Sequence, residues 1–303
     1  MYVVDMHCDT LSDVSESCGI INPYNTSSEY PHLQFFAQFS RCEGKMAEER
    51  RAKLMRDANI YFSECERLGV INVTSAKDLF FAEEKGGRAG MLTIEGGGGL
   101  LADSPELDTL ARAGLSVLGL AWDKNELSCS AYDEVDEGLT DEGRKMVARC
   151  AELGIIIDTS HMSDRAFSEL FELSPMPHIA THSNFRDVSG VKRNLTRDMA
   201  KAIASRGGVI GMNLYPPFLS ESDTVRAEDV LRHIDYGLEL VGDGCIAFGC
   251  DIDGTDGKYP VGISLESSVH DQIINMLLSY YSAQTVEKIA GRNVIDFLKC
   301  NLV

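Results

Sequence analysis

Long apolar runs are missing from this chain of 303 residues: no stretch of ~18 or more apolar residues occurs, so no membrane span is expected. A basic leader followed by an apolar segment is missing too, because Asp5, His7 and Asp9 interrupt the apolar start. Positive charge is scarce. Lys and Arg total 28 against 47 Asp and Glu, a formal net charge of −19. A chain so acidic is a poor partner for a phosphate backbone or an anionic lipid surface, so neither nucleic acid nor membrane is an expected partner. The nine cysteines include no C-x-x-C pair, and their odd number without a leader argues for reduced thiols and a cytoplasmic setting. There is no G-x-G-x-x-G after the first apolar run, and IEGGGGL lacks the lysine and Ser/Thr of a phosphate-binding loop. No internal repeat, low-complexity segment or linker divides the chain.

What is present is an ordinary globular balance, 44% apolar and 25% charged, arranged with a clear rhythm. Short apolar runs at 2–7, 33–40, 90–96, 115–122, 154–160, 178–182, 208–215 and 246–250 read as strands. Between them, 45–68, 75–85, 105–113, 139–152, 163–173, 196–206, 226–241 and 268–299 (in two pieces) read as helices. Thr74 or Ser75, Thr140 and Ser163 stand where helix N-caps belong. Eight strands alternating with helices predict an α/β fold, a closed (β/α)8 barrel of the TIM type, in one domain spanning 1–303. A doubly wound open sheet is the alternative. The polar stretch 123–138 reads as a long loop.

Active sites of such barrels are built at the C-terminal strand ends. Here those ends carry His7 and Asp9, then Glu95, Trp122 and Asn125, Asp158 and His161, His182, Asn213 and Tyr215, and finally Asp251 and Asp253. His7 and Asp9 are two positions apart, so on a regular strand they project together. Any one strand-end histidine is an ordinary satisfied polar residue. Imidazoles and carboxylates converging on one bowl are the ligand chemistry of zinc and related divalent ions. The set suffices for one metal, or for two bridged by a carboxylate.

The ordered motifs D-M-H-C-D-T, T-I-E-G-G, I-D-T-S-H, H-S-N-F-R-D-V with K-R-N, and G-C-D-I-D-G span residues 5 to 254 and resemble the renal (membrane) dipeptidase family of metal-dependent amidohydrolase-like barrels. The resemblance implies that His7 and Asp9 hold a first zinc ion, Glu95 bridges two, and His161 with His182 hold the second. It implies that Arg193 receives the substrate's C-terminal carboxylate and that Asp251 moves the proton, with Tyr215 an aromatic substrate contact. Where mammalian members of that family carry a histidine held to polarise the scissile carbonyl, this chain has Trp122, which donates one N–H but carries no charge. The implied activity is zinc-dependent hydrolysis of dipeptides by a hydroxide bridging two divalent ions, with acceptance of a C-terminal D-residue left open; a homodimer is implied as well. Two rivals stand beside it. One is a related amidohydrolase acting on another amide, a lactone or an ester; H-x-D in place of H-x-H, and Glu95 in place of a bridging lysine, count against it. The other is a metal-binding barrel without catalysis, which has little reason to retain so costly a polar cluster.

Overall fold

The computed structural model describes residues 1–11, 29–39 and 44–302. Cys18, Cys42 and Ser40, the last residue of one strand candidate, lie outside them. The strands are β1 (Val3–Cys8), β2 (His32–Phe39), β3 (Ile71–Asn72), β4 (Ala89–Glu95), β5 (Val117–Gly119), β6 (Ile156–Asp158), β7 (Ile210–Met212) and β8 (Ile246–Phe248). The helices are α1 (Ala47–Leu68), α2 (Ala76–Lys85), α3 (Pro105–Ala113), α4 (Asp141–Leu153), α5 (Asp164–Leu173), α6 (Arg197–Ser205), α7 (Pro216–Leu219), α8 (Ala227–Val241), α9 (Val269–Leu278) and α10 (Ala283–Glu287). A π-turn (Lys288–Arg292) then runs into α11 (Asn293–Asn301).

The ladders are parallel, in the order β6-β5-β4-β2-β1-β8-β7. Single parallel bridges, Asp158 to Ile179 and Ala180 to Ile210, close the gap between β6 and β7. The run 178–182 is therefore the eighth stave, and the barrel is closed by the eight runs that the sequence marks. β3 was not expected. It is two residues that pair with the start of β4, too short to leave a periodic signal.

One buried cluster draws Val4, Met6, Leu33, Phe35, Met91, Val117, Ile156, Ile179, Val209 and Ala247 from all eight staves and is the barrel interior. Val294, Ile295, Phe297 and Leu298 of α11 belong to it and plug the barrel floor. A larger cluster lies between the staves and the surrounding helices. Gly291 lets the π-turn touch β1, since a Cβ there would stand 2.1 Å from the Tyr2 carbonyl oxygen. Helix starts follow local chemistry. Ser75 (rather than Thr74), Ser104, Thr140, Ser163, Thr196 and Ser268 each accept a first-turn N–H. The runs at 115–122, 154–160 and 208–215 keep only three residues of regular ladder each, because their last residues turn towards the barrel mouth. No helix among the described residues is long and apolar enough to cross a membrane.

His178 and His233, two of the buried histidines away from the barrel mouth, are held neutral. His233 of α8 accepts the Phe185 N–H on Nδ1 (3.2 Å) and therefore donates from Nε2 to the Leu219 carbonyl (3.0 Å). His178 has no hydrogen-bond partner on either ring nitrogen among the described residues. Burial pushes both down to about 4. With folded values below the unfolded value of about 6.5, the unfolded chain takes up these protons first as pH falls. Their effect on stability is absent above about pH 6.5 and develops as a loss between about 6.5 and 4, with a slope up to about 2.7 kcal/mol per pH unit for two protons. Urea unfolding across that window should show the midpoint falling; an unchanged midpoint would contradict it.

Candidate metal centre

At the mouth of the barrel the chain places its polar residues by small departures from regular strand. Between Asp5 and Cys8, two residues of β1, Met6 and His7, oppose one of β2, Phe35, a one-residue bulge. His7 and Asp9 do project together, 3.6 Å apart, but not by simple alternation: Met6 belongs to the interior cluster, yet its neighbour His7 also reaches into the barrel mouth. Asp5 faces the other way, towards α9. Its Oδ1 accepts the N–H of His7 (3.2 Å) and of Cys250 (2.9 Å), and its Oδ2 accepts from His270 Nε2 (2.8 Å). Burial works against this carboxylate, but these partners hold it below the usual range. It ties the ends of β1 and β8 to one helix.

Around Glu95, at the end of β4, the centre is tight. Its Oε1 lies 2.8 Å from His161 Nε2, 3.0 Å from His182 Nε2 and 3.7 Å from His7 Nε2. The two Nε2 atoms of His161 and His182 are 3.0 Å apart, and the His7 and His182 rings stack at 3.7 Å. Asp9 Oδ2 and Asp251 Oδ1 stand 3.6 and 3.8 Å from His7 Nε2. All are buried except Asp9, which is intermediate. Ligand atoms within 4.8 Å of one another form overlapping groups: His7, Asp9 and Glu95; Glu95, His161 and His182; His7, His182 and Asp251.

The electrostatics call for a cation. Burial pushes Glu95 well above the ordinary carboxyl range, with Asp9 adding to it, and pushes Asp251 up to about 6. Burial resists charge on His7 as well, yet Glu95, Asp9 and Asp251 together pull it up to about 10. His161 and His182 are driven well below the usual value by burial, so their contacts with Glu95 are those of neutral imidazoles. His7 Nε2 and Asp9 Oδ1 are buried without a hydrogen-bond partner among the described residues. Facing acceptors at about 3 Å, orphaned polar atoms and neutral imidazoles beside carboxylates fit divalent metal.

The supporting contacts explain how His182 is aimed. Asp158 accepts the N–H groups of Ser160 and Thr181 (2.9 Å each) and the Thr181 hydroxyl. That hydroxyl has given away its proton, so it accepts from His182 Nδ1 (2.8 Å) and leaves Nε2 with a free lone pair. Asn213 donates to Asp251 Oδ2 (2.9 Å). His161 (φ 67°) and Asp251 (φ 59°) sit in the left-handed region, where a non-glycine residue is rare and strained. Gly254 lies beneath Asp9 and Asp251, and a Cβ there would be 2.1 and 2.2 Å from their oxygens.

The substrate-binding candidates surround the same place. Trp122 and Tyr215 line a cavity of about 480 Å³ together with Asp9, Glu95, His161 and Asp251, the scale of a small-molecule site. Arg193 is buried beside it, donating to Ser183 Oγ (2.7 Å) and the His182 carbonyl (2.9 Å), with Nε unpartnered. Asn125, another strand-end residue, does not join the site. It holds its own loop by donating to the Leu120 carbonyl (2.9 Å) and accepting from the Leu127 N–H (2.8 Å). Cys8 and Cys250 are buried, and burial raises both thiols far above the ordinary range, which makes them unreactive. Sequence reasoning passed over the roles of Asp5, His270 and Thr181, and missed Tyr132, a cavity residue from the loop 123–138.

A family model described as membrane dipeptidase (peptidase family M19) matches residues 1–300. The chain belongs to that family. Membership bears out the expected activity class, a metal-dependent dipeptidase. A Klebsiella pneumoniae protein known as the uncharacterised protein in the pqqA 5′ region is 30% identical over 243 residues, 74% of this chain and 86% of that one. Dipeptidase tcpJ of Claviceps purpurea is 29% identical over 229 residues, 74% of this chain and 53% of the other. The fold is shared with a Rhodobacter sphaeroides metallopeptidase solved with a phosphinate mimic of L-Ala-D-Ala (TM-score 0.86, 23% identity, 100% and 99% of the two chains). It is shared equally with dipeptidase AC (TM-score 0.86, 24% identity, the same coverage).

Because the Thr181 hydroxyl sets the tautomer of His182, Thr181→Val should weaken metal binding about 10- to 100-fold while the fold survives. Competition against a chromogenic chelator measures this. Unaltered affinity would show that His182 needs no such partner.

Proposed function

We propose that this dipeptidase cleaves free dipeptides with two zinc ions, His7 and Asp9 holding one, His161 and His182 the other, and Glu95 bridging them. The observation that carries the reading is that Glu95 belongs to two ligand groups at once, one with His7 and Asp9 and one with both histidines. When bound, two such ions polarise the amide carbonyl and lower the pKa of a water towards ~7. The rest of the chemistry falls to side chains. Asp251 offers Oδ1 while Asn213 holds Oδ2, so it is fixed to accept a proton from the attacking water and return it to the departing amine. Arg193 is buried with donors to spare and suits the free carboxylate of a short substrate, a requirement that long peptides do not meet. Tyr215 and Trp122 form apolar walls for the substrate's side chains. D- and L-residues are both candidates at the C-terminal position.

We place the protein in the cytoplasm, a reading supported by the seven described cysteines, all of them free. A homodimer is proposed on the family resemblance alone.

Zinc-loaded protein should hydrolyse members of a panel of L-Xaa-L-Xaa and L-Xaa-D-Xaa dipeptides and lose that activity on chelation. Asp251→Asn should lower kcat about 10²- to 10⁴-fold with metal content retained. Wild type should reject dipeptide amides, whereas Arg193→Gln should no longer distinguish amide from acid. Equal turnover of acid and amide by wild type would remove Arg193 from carboxylate recognition; no turnover of any dipeptide would remove the proposed function.

A further inference from the structure

The wall of the cavity is rich in acceptors: Asp9, Glu95, Asp123, Asp251 and Asp256 all contribute carboxylates. Amide hydrolysis places negative charge on the carbonyl oxygen, and stabilising it requires a donor aimed at that spot. Tyr132 lines the same cavity and carries such a donor. Its ring packs 5.8 Å from His161 and 5.9 Å from Trp122, on the side of the Glu95–His161–His182 group. Tyr215, the other phenol of the cavity, lies against Phe218, whose ring faces Arg193.

The loop that carries Tyr132 is fastened to the centre. The Ala131 N–H donates to the carbonyl oxygen of His161 itself (2.8 Å), Ser130 pairs with Met162, and Asp133 closes the turn by accepting the Ser130 N–H (2.9 Å). The backbone of Ser130 and Ala131 is buried in this clamp, while the Tyr132 side chain is half exposed into the cavity. Its hydroxyl has no hydrogen-bond partner among the described residues. Burial raises its pKa, and the charges of Arg193, Glu95 and Asp251 all act on it, as they do on a group that faces the reaction centre. It remains a protonated donor at neutral pH.

We propose that Tyr132 is a catalytic residue, donating a hydrogen bond to the scissile carbonyl oxygen as that oxygen becomes the oxyanion of the tetrahedral state. The assignment rests on the dipeptidase reading above. Water oxygen bonds to the carbonyl carbon, the π pair moves to oxygen, and Tyr132 keeps its proton throughout. Collapse returns the pair and expels the amine with a proton from Asp251. Trp122, packed between Phe39 (4.7 Å) and Tyr132, holds the phenol in place.

Tyr132→Phe in the zinc-loaded protein is the test. For a good dipeptide substrate, kcat should fall about 10²- to 10³-fold with KM nearly unchanged and zinc content equal to wild type. A phosphinate isostere of that dipeptide, which is tetrahedral and anionic, should weaken in parallel with the loss in kcat/KM. A kcat within about threefold of wild type, or a loss confined to KM, overturns the assignment. So does a large kcat loss in Trp122→Phe while Tyr132→Phe keeps wild-type kcat, which would make the indole the donor. A wild type that cleaves no dipeptide overturns the dipeptidase reading, whereas an active wild type with an unaffected Tyr132→Phe variant removes only the tyrosine's role.

Discussion

One carboxylate oxygen governs this molecule. Glu95 Oε1 faces the Nε2 atoms of His161 and His182 at 2.8 and 3.0 Å, with His7 Nε2 at 3.7 Å. Left to themselves, buried acceptors at such separations repel and are starved of hydrogen bonds, a cost of several kcal/mol in a dry interior. Shared positive charge makes the arrangement favourable. The upward pull on His7 reports the same demand, since three carboxylates around it hold a proton against the penalty of burial. Divalent metal is what this set of groups suits, and the fold holds them ready for it.

The barrel supplies the rigidity for that arrangement. The candidate ligands leave the ends of β1, β4 and β6, the stave at 178–182 and the end of β8, so no single loop carries the centre. At each exit the backbone departs from regularity: a bulge in β1, left-handed residues at His161 and Asp251, a glycine pressed beneath Asp9 and Asp251. Such features weaken a fold in isolation and are tolerated where a closed parallel barrel over-determines them. Behind them, Asp5 with His270 and Asp158 with Thr181 convert rough placement into aim.

Much of this was legible in the sequence, for identifiable reasons. Apolar runs of the right length marked all eight staves, because parallel strands buried on both faces have few polar residues except at their ends. Those exceptions, from His7 to Asp251, pointed to the mouth of the barrel. The bulge was invisible, because periodicity reports burial and says nothing about which neighbour a residue opposes. His270 read as an ordinary helix residue, since its partner Asp5 lies 265 positions away in the chain. Thr181 has no pattern beyond standing next to His182. Tyr132 sits in a polar loop without periodicity, so only the clamp to His161 reveals it. Arg193 was reached through the family resemblance, because nothing local distinguishes it from a surface arginine.

The central claim is that Glu95 joins two ligand groups into a two-metal centre. Its most direct test is the metal content per chain of the purified protein, measured by elemental analysis before and after loading with zinc. The account predicts about two equivalents in wild type and a clear deficit in Glu95→Gln. A wild-type chain that binds no metal even after loading, or that saturates at one equivalent, would contradict it.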